Sequence, residues 1–259
     1  MAEESVDRVV GGVRIPVHSY NQFMTQRASK QLSFHDHRMR SGRGGPRVGA
    51  GRPPASANPP VHHVRRPPVP MNCPSHVTLR LRSGTPGLRN RRFLRELRPS
   101  LRRGCARRGF RVVHYSVQRN HLHLIVESAG KEALGRGMKA ISARVARAAQ
   151  RAFGLSGPVL HGRYHLRILR TPREVRRALA YVLLNARKHW RERHGATPPE
   201  RLDVASSGRW FDGWRRVPGS REPPPGPLEE PEVAKSRTWL LSVGWRRHGL
   251  VDPAELPGS

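Results

Sequence analysis

The sequence predicts an α+β domain built on an antiparallel sheet, and three observations predict it. Four short segments, residues 76–82, 110–118, 121–127 and 163–170, alternate polar and apolar side chains with the two-residue period of half-buried strands. Three longer segments, 90–109, 132–153 and 171–190, repeat apolar residues every three or four positions, the period of a helix with one buried stripe. The second and third strand segments are separated only by Arg119-Asn120, a link short enough for a hairpin, so those two strands pair antiparallel.

The first strand is His76-Val77-Thr78-Leu79-Arg80-Leu81-Arg82. Helix 90–109 places Phe93, Leu94, Leu97, Leu101 and Cys105 on one stripe under an arginine-rich outer face, with a kink expected near Pro99, which has no amide hydrogen to donate. In the hairpin Val113, Tyr115 and Val117 alternate on one strand and Leu122, Leu124 and Val126 on the next. Helix 132–153 carries Leu134, Met138, Ile141, Val145, Ala148 and Ala152, and Gly157-Pro158 breaks the chain after it. In the fourth strand Tyr164, Leu166 and Ile168 alternate with His165, Arg167 and Leu169. Thr171-Pro172-Arg173-Glu174 then supplies an N-cap, a proline at the first helical position and an acid at the third, opening a helix to about Trp190. The first six elements follow the βαββαβ plan of ferredoxin-like (RRM-like) domains, with helices on one face, and the last helix is an addition at the C-terminal end.

Residues 76–190 hold all of this patterning and read as the domain. Residues 1–75 mix glycine, proline and arginine with few apolar clusters, a composition that cannot offset the entropy of ordering, so a disordered basic arm is expected. Within it Gly49-Ala50-Gly51-Arg52-Pro53-Pro54 resembles the core of an AT-hook, although a plain linker is the favoured reading. The extension 191–259 has a proline-rich spacer, 223–231, between Trp210/Trp214 and Trp239/Trp245; docking of these rings on the domain is favoured over stacking on bases.

Lysine and arginine number 49 against 18 acidic residues, a formal charge of +31, which points to a polyanionic partner. A coding bias toward arginine accounts for a share of that excess but not for its size. No run approaches the length of a membrane span and no N-terminal signal is visible, so a cytoplasmic, nucleoid-associated protein is expected. Cys73 and Cys105, the only cysteines, have no metal-ligand spacing and form no disulfide framework.

The two-residue period assigns faces. Val77, Leu79, Leu81, Val113, Tyr115, Val117, Leu122, Leu124 and Val126 fall on the side that meets the helices. The opposite, open side collects His76, Thr78, Arg80, Arg82, His114, Ser116, Gln118, His121 and His123, a face suited to a phosphate backbone. His121 and His123 point the same way and are close enough to share one ion. On the last helix Val175, Leu179, Val182 and Ala186 form the buried stripe and Tyr181 lies well off it, with Asn185 one turn further along the same flank and Lys188 nearby. A phenol beside a metal-bound phosphate can attack it, and Asn185 could offer the ion an amide oxygen. Tyr115 and Tyr164 fall on the core side of their strands.

These residues resemble a known family. The run 115–126, with His121-Leu122-His123 at its centre, is similar to the His-hydrophobic-His strand pair of single-tyrosine HUH transposases, the insertion-sequence-200-like and REP-associated tyrosine transposases. His76-Val77-Thr78-Leu79-Arg80, Gly162-Arg163-Tyr164 and Tyr181-Val182-Leu183-Leu184-Asn185 match in the same order. The chain departs at Gln118-Arg119, where many relatives have Met-Pro, and at Ala186, where many have proline; neither removes a catalytic group.

The resemblance implies Tyr181 as nucleophile, Mg²⁺ or Mn²⁺ on His121 and His123 with Asn185 at the family's polar position, and cleavage and rejoining of single-stranded DNA through a 5′-phosphotyrosine. The substrates it implies are hairpin-forming element ends, bound by a monomer or homodimer. The candidate DNA contacts are Arg80, Arg82, His114, Arg163, Arg167 and Lys188. The alternatives are a single-stranded nucleic-acid-binding regulator derived from such an enzyme, and a metal nuclease that activates water with Tyr181 structural.

Overall fold

The computed structural model describes residues 66–216, 218–219 and 229–257; the AT-hook-like motif, the arm up to residue 65 and most of the proline-rich spacer lie outside the described residues. The chain is α+β. Five strands, β1 (Ser75–Arg80), β2 (Ala106–Arg107), β3 (Phe110–Val117), β4 (His121–Ser128) and β5 (His165–Ile168), form one antiparallel sheet in the order β2-β3-β4-β1-β5.

On one face lie α1 (Arg91–Arg102) and α2 (Lys131–Phe153). Asn90 caps α1 by accepting from the Arg92 amide at 2.8 Å, and Phe93, Leu94, Leu97 and Leu101 are its buried stripe. The α2 stripe of Leu134, Met138, Ile141, Val145 and Ala148 completes a core with Val77, Leu79, Tyr115, Val117, Leu122 and Leu124. Gly137 is required here, because a Cβ on it would overlap the Phe110 ring.

The helix expected to reach residue 109 ends at Arg102. The Gly104 amide bonds back to Leu101 at 2.7 Å, and Ala106-Arg107 turns into β2 against Phe110 and Arg111. Cys105 is still buried in the core, which is why helical spacing included it. The helix runs through Pro99.

The other face is divided. Between β3 and β4 the register shifts at Val112/His114, a bulge that turns Val113 away from the first core. Val113, expected beneath the helices, joins Ile125, Cys73 and Leu169 in a second core under α3 (Pro172–Leu183). The Thr171/Glu174 capping box forms as the sequence reads. The helix expected to continue to about Trp190 breaks at Leu184, and α4 (Asn185–His194) follows it.

Residues beyond 195 close this core. Phe211, Leu240, Leu241, Trp245 and Val251 pack against Val175, Leu179 and Val182, and α5 (Trp239–Ser242) is seated by the buried Glu127 carboxylate, which accepts from the Arg237 and Thr238 amides at 2.9 and 2.7 Å. The same extension occupies the edge of β3: the Val117 amide bonds Ala205 O at 2.8 Å, and Ser207 exchanges backbone and side-chain bonds with Tyr115. Trp245 is buried and Trp210 and Trp214 partly so, whereas Trp239 stays half exposed. Residues 66–74, within the stretch read as the arm, also pack on the domain, with Val69 and Cys73 buried. Both cysteines are free. Among the described residues no helix is long and apolar enough to cross a membrane.

Candidate active site

Where the extension stops covering the second face, a cleft of about 880 Å³ remains between β1, β4 and β5 on one side and α3 and α4 on the other. Strand periodicity places His121 and His123 on its floor, and the β1/β4 register sets Thr78 opposite His123 and Arg80 opposite His121. His76, one pleat along β1, completes the group.

The histidines form a relay. Asn120 Oδ1 lies 2.8 Å from His121 Nδ1, His121 Nε2 lies 3.0 Å from His123 Nε2, and His123 Nδ1 faces His76 Nε2 at 3.0 Å and Thr78 Oγ1 at 3.2 Å. An amide oxygen only accepts, so neutral His121 carries its proton on Nδ1 and presents a lone pair at Nε2. His123 then donates from Nε2, and its Nδ1 accepts from His76 or Thr78. The Tyr181 ring stands edge-on to His123 at 5.1 Å and to His76 at 5.8 Å between centroids, and the Lys188 ammonium lies 5.8 Å from it.

Burial, first of all, keeps these imidazoles neutral. It lowers His76 to about 4, helped by the Arg167 charge, and His121 to about 4, helped by His189 and Arg80. His123 falls to about 3, with His76, His121 and His189 adding to burial. Neutral imidazoles are the form that ligates a cation.

Two cis ligands of an octahedral ion at about 2.1 Å lie about 3.0 Å apart, and the Nε2 atoms of His121 and His123 are 3.0 Å apart. Binding at His123 Nε2 would move its proton to Nδ1, where His76 Nε2 and Thr78 Oγ1 can accept it, an outer shell suited to the purpose. Among the described residues no group of three His, Cys, Asp or Glu side chains is arranged to hold a metal. The pair would therefore leave most of the coordination to oxygen from water or phosphate.

Of the candidate DNA contacts, Arg80 and Arg167 line the cleft. Arg163 lines an adjoining cavity of about 440 Å³ that shares Arg80 as a wall. Arg82 is exposed outside the cleft, and Lys188 stands over Tyr181.

His114 is a correction. Its place in the alternation put it on an open face, but the extension covers it: it is buried, 3.2 Å from Ser207 Oγ and edge-on to Phe211 at 5.2 Å, out of reach of DNA. Ser116 and Gln118 are buried with it. Asn185 is fully buried and does not line the cleft; neither of its amide atoms has a hydrogen-bond partner among the described residues. The break at Leu184 turns it away from the Tyr181 flank, and His189 lines the cleft instead.

His189 lies about two turns from Tyr181, a spacing legible in the sequence had the break been foreseen. Arg176 and the segment Glu255, Leu256, Pro257 also line the cleft, and nothing in their sequence signals it. Tyr115 is fully buried and Tyr164 half-buried beneath the Arg66 guanidinium, 3.7 Å from its ring.

No family model matches the chain, and no curated protein matches it. Among solved structures, a REP-associated tyrosine transposase bound to a REP hairpin shows a distant likeness: 19% identity, 49% of this chain and 74% of that chain covered, with a TM-score of 0.38.

Proposed function

We propose that this chain is a transposase of the single-tyrosine HUH type, which cuts and rejoins single-stranded DNA through Tyr181 on a ferredoxin-like βαββαβ domain. The observation that carries the reading is the meeting of Tyr181 with His123, 5.1 Å between rings, beside the His121 and His123 nitrogens, 3.0 Å apart, in an arginine-walled cleft. The strand order β2-β3-β4-β1-β5, with β2 as an edge addition, supports the ferredoxin-like plan.

Arg80 and Arg167 hold the backbone of the strand by its phosphates. Tyr181 Oη attacks phosphorus in line, giving up its proton as the bond forms; the bond to the 3′ oxygen breaks and that oxygen leaves as a hydroxyl, while the 5′ phosphate stays on Tyr181. A 3′-hydroxyl then attacks the phosphotyrosine, restoring a phosphodiester and the phenol. When bound on His121 and His123, Mg²⁺ or Mn²⁺ supplies polarisation of a non-bridging oxygen of that phosphate. Tyr181 and both histidines belong to one cleft of one chain, which supports action within a subunit.

The withdrawal of Asn185 from the cleft favours a second reading, a regulator that binds single strands without cutting them. Incubation with a single-stranded hairpin and Mn²⁺ separates the two. We expect a protein–DNA species that survives denaturing electrophoresis, absent in Tyr181→Phe and in EDTA, and present in Tyr115→Phe and Tyr164→Phe. An adduct in Tyr181→Phe would reassign the nucleophile. Cleavage without an adduct would make water the attacking group, and binding without cleavage would establish the regulator.

A further inference from the structure

The four tryptophans of the extension do not share one fate. Trp245 is buried and its indole N–H donates to Leu241 O at 3.0 Å; the Trp214 indole donates to Gly208 O at 3.0 Å, and that of Trp210 to the Glu232 carboxylate. Trp239, at the start of α5, is 49% exposed, and its indole N–H has no hydrogen-bond partner among the described residues. Three rings are docked, and one is held at the surface.

The position of that ring is fixed from beneath. A Cβ on Gly244 would come within 2.7 Å of it, so the glycine lets the indole lie directly against the backbone of the 3-10 turn Gly244–His248. Thr238, the preceding residue, is tied to the buried Glu127 carboxylate through its amide at 2.7 Å and its hydroxyl at 2.8 Å. A ring anchored in this way loses little further freedom when a ligand stacks on it.

Its surroundings are cationic. The Arg247 guanidinium lies 4.9 Å from the ring centroid, and Arg237 stands two residues before the ring; both are exposed and neither has a carboxylate partner among the described residues. Acids of this region are already engaged, Glu127 by Arg111 at 3.5 Å and Asp212 by Arg246 at 2.9 Å. A flat aromatic face beside guanidinium groups fits a nucleobase and its phosphate, the base stacking and the arginine taking the charge. The exposed large apolar side chains of the extension, Trp239, Val243 and Leu250, are too few for the apolar centre of a protein interface.

The turn also adjoins the cleft. Arg176, in the cleft wall, donates to Leu250 O at 2.9 Å. Leu250 is three residues after Arg247, at most about 10 Å along the chain.

We propose that Trp239 is a stacking platform for an unpaired base of single-stranded DNA, outside the cleft and on the path of a strand that leaves it. The Arg247 guanidinium turns from the ring to the neighbouring phosphate as the base settles. The site rests on the reading that the cleft takes single strands, and it does not depend on the chemistry of Tyr181.

The test measures binding of the full chain, without divalent ions, to oligo(dT) of about 20 nucleotides and to an abasic deoxyribose-phosphate strand of equal length, which keeps the charges and lacks the bases. Trp239→Leu keeps an apolar side chain over Gly244 but no flat face, and should weaken oligo(dT) binding at least ~5-fold while leaving the abasic strand within ~2-fold. Trp239→Phe should bring oligo(dT) back to within ~3-fold of wild type. Arg247→Ala should weaken both strands and flatten the log–log salt slope of each by about 0.7. Unchanged oligo(dT) affinity in Trp239→Leu, equal losses on both strands, or Trp239-dependent binding that is tighter to oligo(rU) than to oligo(dT) would each overturn the proposal. Trp239-dependent binding without a Tyr181 adduct would remove the chemistry proposed for the cleft and leave this site standing; an adduct with Trp239-independent binding would do the reverse.

Discussion

Under α1 and α2 the sheet is apolar from β3 to β1, with Val117, Tyr115, Leu122, Leu124, Val77 and Leu79 all in one core. Its other face starts from an equally regular alternation and comes out as two regions. Beneath the extension His114, Ser116 and Gln118 are buried and bonded, and on the neighbouring strands of the same sheet His121 and His123 of β4 and His76 of β1 surround a cleft. Strand period therefore does not separate a structural histidine from a candidate ligand. What separates them is whether Phe211 and Ser207 lie on top. An apolar face has one stable outcome, burial, whereas a polar face can be covered wherever partners satisfy it and left open elsewhere.

If that division is right, removing the cover should be the most damaging change. A chain ending at His194 loses Phe211, Leu240, Leu241, Trp245 and Val251 and leaves Val113, Ile125 and Leu179 to water. We expect no cooperative thermal transition and strong binding of an apolar dye; a sharp melt near that of the full chain would show that the second core closes without the extension.

The two kinds of histidine should then differ in what they do to cleavage. His123→Ala should abolish cleavage even by the folded fraction, although His123 is buried and bonded to His76 and Thr78 and its loss also costs stability. His114→Ala should lower stability by about 1–3 kcal/mol through the lost packing against Phe211 and the lost bond to Ser207, and spare cleavage by the folded fraction. A His123→Ala protein that still cuts would break the comparison.

Acid sharpens it further. Burial, opposed only by the charge of Asp212, lowers His114 to about 4. The unfolded value is about 6.5, so the unfolded chain binds more protons between these limits. The contribution of neutral His114 is complete above pH 6.5 and is lost as the pH falls toward 4. It amounts to on the order of 3 kcal/mol for a shift of this size. Denaturant titrations at several pH values should show this dependence shallower in His114→Gln; an identical slope would mean that His114 does not titrate with unfolding.

On the helical face two glycines of α2 give a matched pair. Gly137→Ala should destabilise by about 1–3 kcal/mol, because the Phe110 ring must move. Gly135→Ala, with nothing within 4 Å of the added carbon, should stabilise by about 0.5–1 kcal/mol through helix propensity. Equal effects in urea titration would show that the Phe110 contact is not tight.

Much of this was legible in residue order alone, since periodicity and capping are local. The four main strands, the helix 132–153, the Thr171/Glu174 cap, the shared face of His121 and His123 and the off-stripe flank of Tyr181 all follow from neighbours a few positions apart, where geometry is set by pleat and pitch. The departures are all long-range. The bulge that moves Val113 exists because the second core receives its side chain. Helix α3 stops at Leu183 although the apolar spacing runs on, and that break takes Asn185 out of the cleft and brings His189 in. The fate of His114 depended on Ser207 and Phe211, more than ninety positions away and joined to it by no periodic pattern. Alternation specifies that a side chain faces one way; what waits on that side is set by whichever distant segment gains most by burying its own apolar groups there, here the extension with Phe211 and Trp245.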